Sequence, residues 1–151
     1  MARATGLICA RHGAKITIGD KTAPEGDSAV AQIRDADGEA WFHQNGVSKD
    51  ADVRSLMETV ERDMGGTNPP VSAAAIARDS LVPVDEFLNA TREKHIDIHL
   101  IGSFLAAKYA VPAIWKARRE VIVMIASAVG LASAQTLSLM AQARATSTAL
   151  G

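Results

Sequence analysis

The chain has 151 residues, 48% apolar and 22% charged, with a formal net charge of −1. That is enough for one domain around a single core, and so neutral a balance offers no basic face for nucleic acid or an anionic membrane surface. The one cysteine, Cys9, excludes an internal disulfide framework and fits a reducing cytoplasm. Met1 to Gly6 form no secretory signal. The apolar run from Val121 to Ala134 is too short to span a bilayer and is broken by Gly130. The sequence therefore predicts a soluble, cytoplasmic protein with neither nucleic-acid nor membrane partners.

In chain order, Ala2 to Arg11 reads as a helix stopped by Gly13. Its Cys9 is expected to be a buried thiol. Ile16 to Gly19 is a short β-branched strand closed by Asp20, and Pro24 suits the first turn of a helix ending at Asp35-Ala36-Asp37-Gly38. Ala40 to His43 is a second strand. Ser48 suits an N-cap, with Asp50 and Asp52 at the positive end of a helix running to Met64. A third strand is expected over Val71 to Ile76, although Pro69-Pro70 precedes it. From Pro83 to Ala117 the pattern predicts two helices meeting near Glu93 to Ile96, followed by a buried strand over Val121 to Ile125. Strand-length runs alternating with helical ones predict an α/β fold with a mostly parallel sheet. Residues 1–151 read as a single domain without repeats or linkers.

The order and residues of these segments resemble the short-chain dehydrogenase/reductase family over nearly the whole chain. Ala10-Arg11-His12-Gly13-Ala14-Lys15 and Ile16-Thr17-Ile18-Gly19-Asp20 are similar to that family's passage from first helix to second strand. Val47 to Val53 resembles the segment after its third strand. Asp97-Ile98-His99-Leu100-Ile101-Gly102-Ser103-Phe104 resembles Asp-Val-Asn-Leu-x-Gly-x-Phe on its long helix. Ile122 to Gly130 resembles the strand that delivers a catalytic serine.

The resemblance implies a Rossmann-like, doubly wound parallel sheet in a partial dinucleotide-binding domain, without the first strand and the C-terminal strands. It implies an NAD-linked oxidoreductase acting on a secondary alcohol or carbonyl, with Ser127 as catalytic serine and Asp20 as the ribose-binding acid that favours NAD over NADP. A homo-oligomer through the 95–118 helix follows from the same likeness. In the family, a tyrosine hydroxyl relays a proton while a lysine lowers its pKa. Here Met140 and Arg144 occupy those places, and arginine does not reproduce lysine's geometry. His99 replaces an asparagine, Ser72-Ala73-Ala74-Ala75 replaces Asn-Asn-Ala-Gly, and Gly46 replaces an adenine-contacting aspartate. Only Met1-Ala2-Arg3 matches the Gly-rich phosphate turn, at its very end.

Little turnover is therefore expected of this polypeptide. The alternative is a non-enzymatic remnant, or an oligomer partner of intact relatives. Met140 to Ala145 can be encoded as ATG GCG CAA GCA AGG GC; after a T, reading one base earlier spells Tyr-Gly-Ala-Ser-Lys-Gly, so a shifted frame is one explanation of the tail. The spacing of His95, Asp97 and His99 supplies no third strong metal ligand, so no metal site is expected. Trp41 and Trp115 are expected to pack rather than stack on a cofactor. In the family's 3-2-1-4-5 order, losing the first strand would leave its neighbours with open inner edges, which predicts marginal stability.

Overall fold

The structure, a computed structural model, describes residues 1–65, 70–77, 82–83, 85–116, 118 and 121–127. In order they form α1 (Ala2–Arg11), β1 (Ile16–Asp20), α2 (Ala23–Arg34), β2 (Ala40–Gln44), α3 (Asp50–Met64), β3 (Val71–Ser72), α4 (Asn89–His95), a π-helical turn (Ile96–Ile101), α5 (Gly102–Lys116) and β4 (Val123–Met124). β1 runs parallel to β2, with Ile16 opposite Ala40 and Asp20 opposite Gln44. β3 runs parallel to β4. Among the described residues these are two separate two-stranded sheets.

Side-chain alternation along β1 sends its residues to opposite faces. Ile16 and Ile18 join Leu7 and Ala10 of α1, and Phe42, around a core of Val30, Ile33 and Ala40. On the other face the Thr17 hydroxyl donates to Met64 Sδ at 2.9 Å, so α3 covers the strand there. α2 lies close to β2 because Gly26 has no side chain: a Cβ there would overlap the Phe42 ring. Gly13 (φ 83°) and Gly65 (φ 72°) end α1 and α3 in the left-handed conformation that glycine adopts without strain.

α3 and α5 are tied by exposed contacts. Lys108 Nζ lies 2.8 Å from Asp50 Oδ1, Tyr109 donates to Asp50 Oδ2 at 2.6 Å, and Lys116 Nζ lies 2.9 Å from Glu61. By length and composition the 28-residue run Asn89–Lys116 would suffice to cross a membrane, which the core helix of a layered fold also does. Here Gly102, Ser103, Leu105, Ala110 and Ile114 of α5 are buried.

Several sequence expectations are corrected. The residue capping α3 is Lys49, not Ser48, and no side chain caps the helix. A turn in which Lys49 N–H donates to Gly46 O delays the helix by one residue, and Asp52 in its first turn reaches back to the Gly46 N–H at 3.0 Å. β3 spans two residues rather than six. β4 is equally short, and Val121 and Val123 are exposed rather than buried. The long helical region begins at Asn89, and its two helices meet through a π turn that keeps them continuous. Cys9 is half-buried. Trp115 is 81% exposed and packs against little of its own chain.

Candidate functional site

In an open parallel sheet, ligands sit outside the carboxyl ends of the strands, where loops and helix N-termini converge. At that edge lie Gly19–Asp20, which end β1, and the segments that leave β2, β3 and β4: Asn45–Ser48, Ala73–Ala77 and Ile125–Ser127.

On the β1/β2 side, Asp20 is exposed. Its Oδ1 accepts the Thr22 N–H at 2.9 Å, which fixes the carboxylate at the start of α2, while its main-chain oxygen accepts the Asn45 N–H at 2.8 Å. Asn45 is only 3% exposed, and its Nδ2 has no hydrogen-bond partner among the described residues. An unsatisfied buried donor of this kind costs about 1–3 kcal/mol. The side chain lies beside Gly19, where an ideal Cβ would stand 3.6 Å from Asn45 Oδ1 and only 2.8 Å from Leu56 Cδ2. Backbone, amide and carboxylate are thus gathered at one corner.

On the β3/β4 side, the last ladder bond is Ile125 N–H to Ser72 O at 2.9 Å. Two residues on, Ser127 is half-buried in the loop leaving β4. The Ile76 N–H, in the loop leaving β3, donates to His99 Nε2 at 3.0 Å. His99 O accepts the Ser103 hydroxyl at 2.7 Å. The imidazoles of His95 and His99 meet edge to face at 5.3 Å, and Phe87 meets His95 at 5.9 Å. Among the described residues, no three His, Cys, Asp or Glu side chains are grouped to hold a metal ion.

The structure therefore places Asp20 and Ser127 at the same sheet edge but on different half-sheets. Met140 and Arg144 lie outside the described residues, as does Arg119. Sequence reasoning missed Asn45; an asparagine closing an alternating strand, just before a glycine, was the available signal.

A family model described as enoyl-(acyl carrier protein) reductase matches residues 1–151. The chain belongs to the short-chain dehydrogenase/reductase family. It is 30% identical over 131 residues to a 3-oxoacyl-[acyl-carrier-protein] reductase of Bos taurus, covering 87% of this chain and 53% of that protein. It is 33% identical over 128 residues to an uncharacterized oxidoreductase of Thermotoga maritima, covering 83% and 48%. The chain thus spans about half the length of the curated relatives it matches. Among solved structures, an NAD+-bound xylitol dehydrogenase superposes with a TM-score of 0.92 at 22% identity, over 98% of this chain and 56% of that one. An alcohol dehydrogenase from Thermococcus sibiricus, complexed with 5-hydroxy-NADP, superposes at 0.87 with 17% identity, over 99% and 61%. At these identities the likeness establishes the fold: the two half-sheets are parts of a doubly wound Rossmann-type short-chain dehydrogenase/reductase sheet.

Proposed function

We propose that this chain derives from, or is part of, a nicotinamide-dinucleotide oxidoreductase that acts on a secondary alcohol or carbonyl. The family match along the whole chain carries the reading. The corner made by Gly19, Asp20 and Asn45 supports it chemically. An adenosine moiety offers ribose hydroxyls as donors for the exposed Asp20 carboxylate. The same carboxylate would repel a 2′-phosphate, which favours NAD over NADP. Solved neighbours include both an NAD and an NADP-type complex, so the preference rests on Asp20 alone.

When bound, the nicotinamide supplies the hydride chemistry. What this chain contributes is binding and orientation. The Ser127 hydroxyl leaves β4 at the carboxyl edge, and its role in this reading is to hold the substrate oxygen through a hydrogen bond. The proton relay has no counterpart in the sequence: Met140 carries no ionisable hydroxyl, and Arg144 stays charged. We therefore propose binding without appreciable turnover for the polypeptide as written.

A second reading is a non-enzymatic partner of intact relatives, or a homo-oligomer. It draws on Ile101, Phe104, Val111 and Trp115, which are exposed apolar residues on one side of the π turn and α5. Isolated apolar residues are ordinary on a surface, but a row at helical spacing marks an interface. A cytoplasmic location goes with both readings.

Calorimetry on the full chain with NAD and with NADP tests the first reading. Detectable NAD binding that weakens about tenfold or more in Asp20→Ala, with NADP bound less tightly, is the expected result. NADP binding equal to NAD would contradict the role given to Asp20, and binding of neither would contradict the reading. Co-purification with an intact relative, lost in a Phe104→Glu/Trp115→Glu variant, would favour the second.

A further inference from the structure

Of the three asparagines in the chain, Asn45 alone precedes a glycine; Asn68 precedes Pro69 and Asn89 precedes Ala90. We propose that Asn45–Gly46 is a spontaneous deamidation site that the fold holds shut. While α3 is docked the pair is inert; once α3 and β2 part, the side-chain amide is lost and unfolding becomes irreversible. This goes beyond the oxidoreductase reading and does not depend on it.

The reaction needs no partner but water. The Gly46 nitrogen attacks Asn45 Cγ, the N–Cγ bond forms, and the Cγ–Nδ2 bond breaks. Nδ2 leaves as ammonia, carrying the proton that the backbone nitrogen gives up. Water then opens the cyclic imide at either carbonyl, leaving aspartate or isoaspartate at position 45. Glycine favours the attack because no Cβ shields its nitrogen. At Asn68 the next nitrogen is proline's and has no proton to lose.

The fold denies both requirements of the attack. The side chain must swing onto the Gly46 nitrogen, but Asn45 is 3% exposed and packed towards Gly19. Its Oδ1 and Cβ stand 3.6 and 3.7 Å from where a Cβ on Gly19 would be, and its N–H is tied to Asp20 O at 2.8 Å. Asn45 Nδ2 has no hydrogen-bond partner among the described residues, so packing and backbone do the holding. The attacking nitrogen must also become anionic. Gly46 N–H, however, donates to Asp52 Oδ2 at 3.0 Å, and a second negative charge beside a carboxylate is disfavoured.

The glycine that makes the pair reactive is also the residue the clamp requires, since a Cβ there would stand 3.1 Å from Asp52 Oδ2. Asp52 lies in the first turn of α3, so the clamp opens when that helix leaves. After conversion the corner cannot close again. Aspartate would put a charge at a nearly fully buried position. Isoaspartate adds a backbone carbon between the N–H groups of residues 45 and 46, so their bonds to Asp20 and Asp52 cannot both form.

The test holds the full chain at neutral pH in buffer and in guanidinium chloride, and reads position 45 by peptide mapping for aspartate and isoaspartate. Conversion should be roughly tenfold or more faster in denaturant, since the folded chain reacts only through its small opened population. Asn89 should keep its amide after Asn45 has converted. The fraction of chains that refold on dilution should fall as position 45 converts. In the folded state Asp52→Ala should speed conversion roughly three- to tenfold, the change one lost hydrogen bond permits. Asp52→Asn, which keeps an acceptor without the charge, should fall between, and carries this arm by itself if alanine unfolds α3. Gly46→Ala, aged in denaturant beside the wild type, should keep both its Asn45 amide and its refolding yield. Equal rates in the folded and denatured chains would overturn the proposal, as would full refolding of converted chains. Unchanged or slower conversion in the folded Asp52 variants would also overturn it, because Asp52 would then be no guard.

Discussion

The two half-sheets come from one chain and run in the same direction, yet they are unequal. β1 and β2 pair over five residues each and are covered by α1 and α2 on one face and by α3 on the other. β3 and β4 pair over two residues each, and Val71, Val121 and Val123 around them are exposed. Both pairs contain β-branched residues suited to strands, so propensity does not account for the difference. Covered faces do. Where helices shield both sides of a pair, apolar alternation is rewarded at every position; where they do not, the ladder frays to its shortest form.

That contrast can be broken by deletion. Ile33 is fully buried at the centre of the first half, and Ile33→Ala should cost about 2–5 kcal/mol, read as a fall in the denaturation midpoint. Val123→Ala in β4 should stay within about 0.5 kcal/mol. Comparable losses at the two positions would show that the second half is as well packed as the first. A smaller effect is expected at Gly26, where a methyl must be fitted against Phe42: Gly26→Ala should destabilise by about 1–3 kcal/mol, although alanine is the better helix former. A neutral or stabilising result would mean that α2 can withdraw from β2 freely.

The smallest effect concerns the link between α3 and α5. Hydrogen bonds from Lys108 and then Tyr109 hold the Asp50 carboxyl below the ordinary carboxylate range. A carboxyl with a depressed folded-state pKa stabilises the fold above its unfolded pKa, and that contribution is lost as pH falls through the folded value. Because Asp50 and Lys108 are exposed and Tyr109 is only half-buried, the effect is slight and further screened by salt. Asp50→Asn should therefore lower the melting temperature a little at neutral pH and not at all at the acid end. An equal loss at both ends would assign it to packing instead.

These differences also explain what could be read from the sequence. α1, β1, α2, β2 and α3 were legible because each carries one period, and all but β2 end on a glycine or an acid of plain meaning, such as Gly13 or Asp20. The parallel doubly wound class followed from their alternation. β3 and β4 were overextended, since Val71–Ile76 and Val121–Ile125 have strand composition but lack the neighbours that make composition count. Ser48 looked like a cap because the turn that lets Lys49 N–H reach Gly46 O is not a periodic signal. The π turn was invisible for a similar reason: Ile96–Ile101 reads as ordinary helix until His99 is seen holding Ile76. At the site, Asp20 and Ser127 were found through resemblance. Asn45 was not, because its unsatisfied amide emerges only from burial.

Native-state hydrogen exchange on the intact chain tests most directly the claim that the halves are separate and unequal. Amides of Ile18 and Phe42 should exchange slowly, close to the global unfolding limit, while those of Val123 and Ile125 exchange far faster through local opening. Uniform protection across both pairs, closing together in one transition, would contradict it.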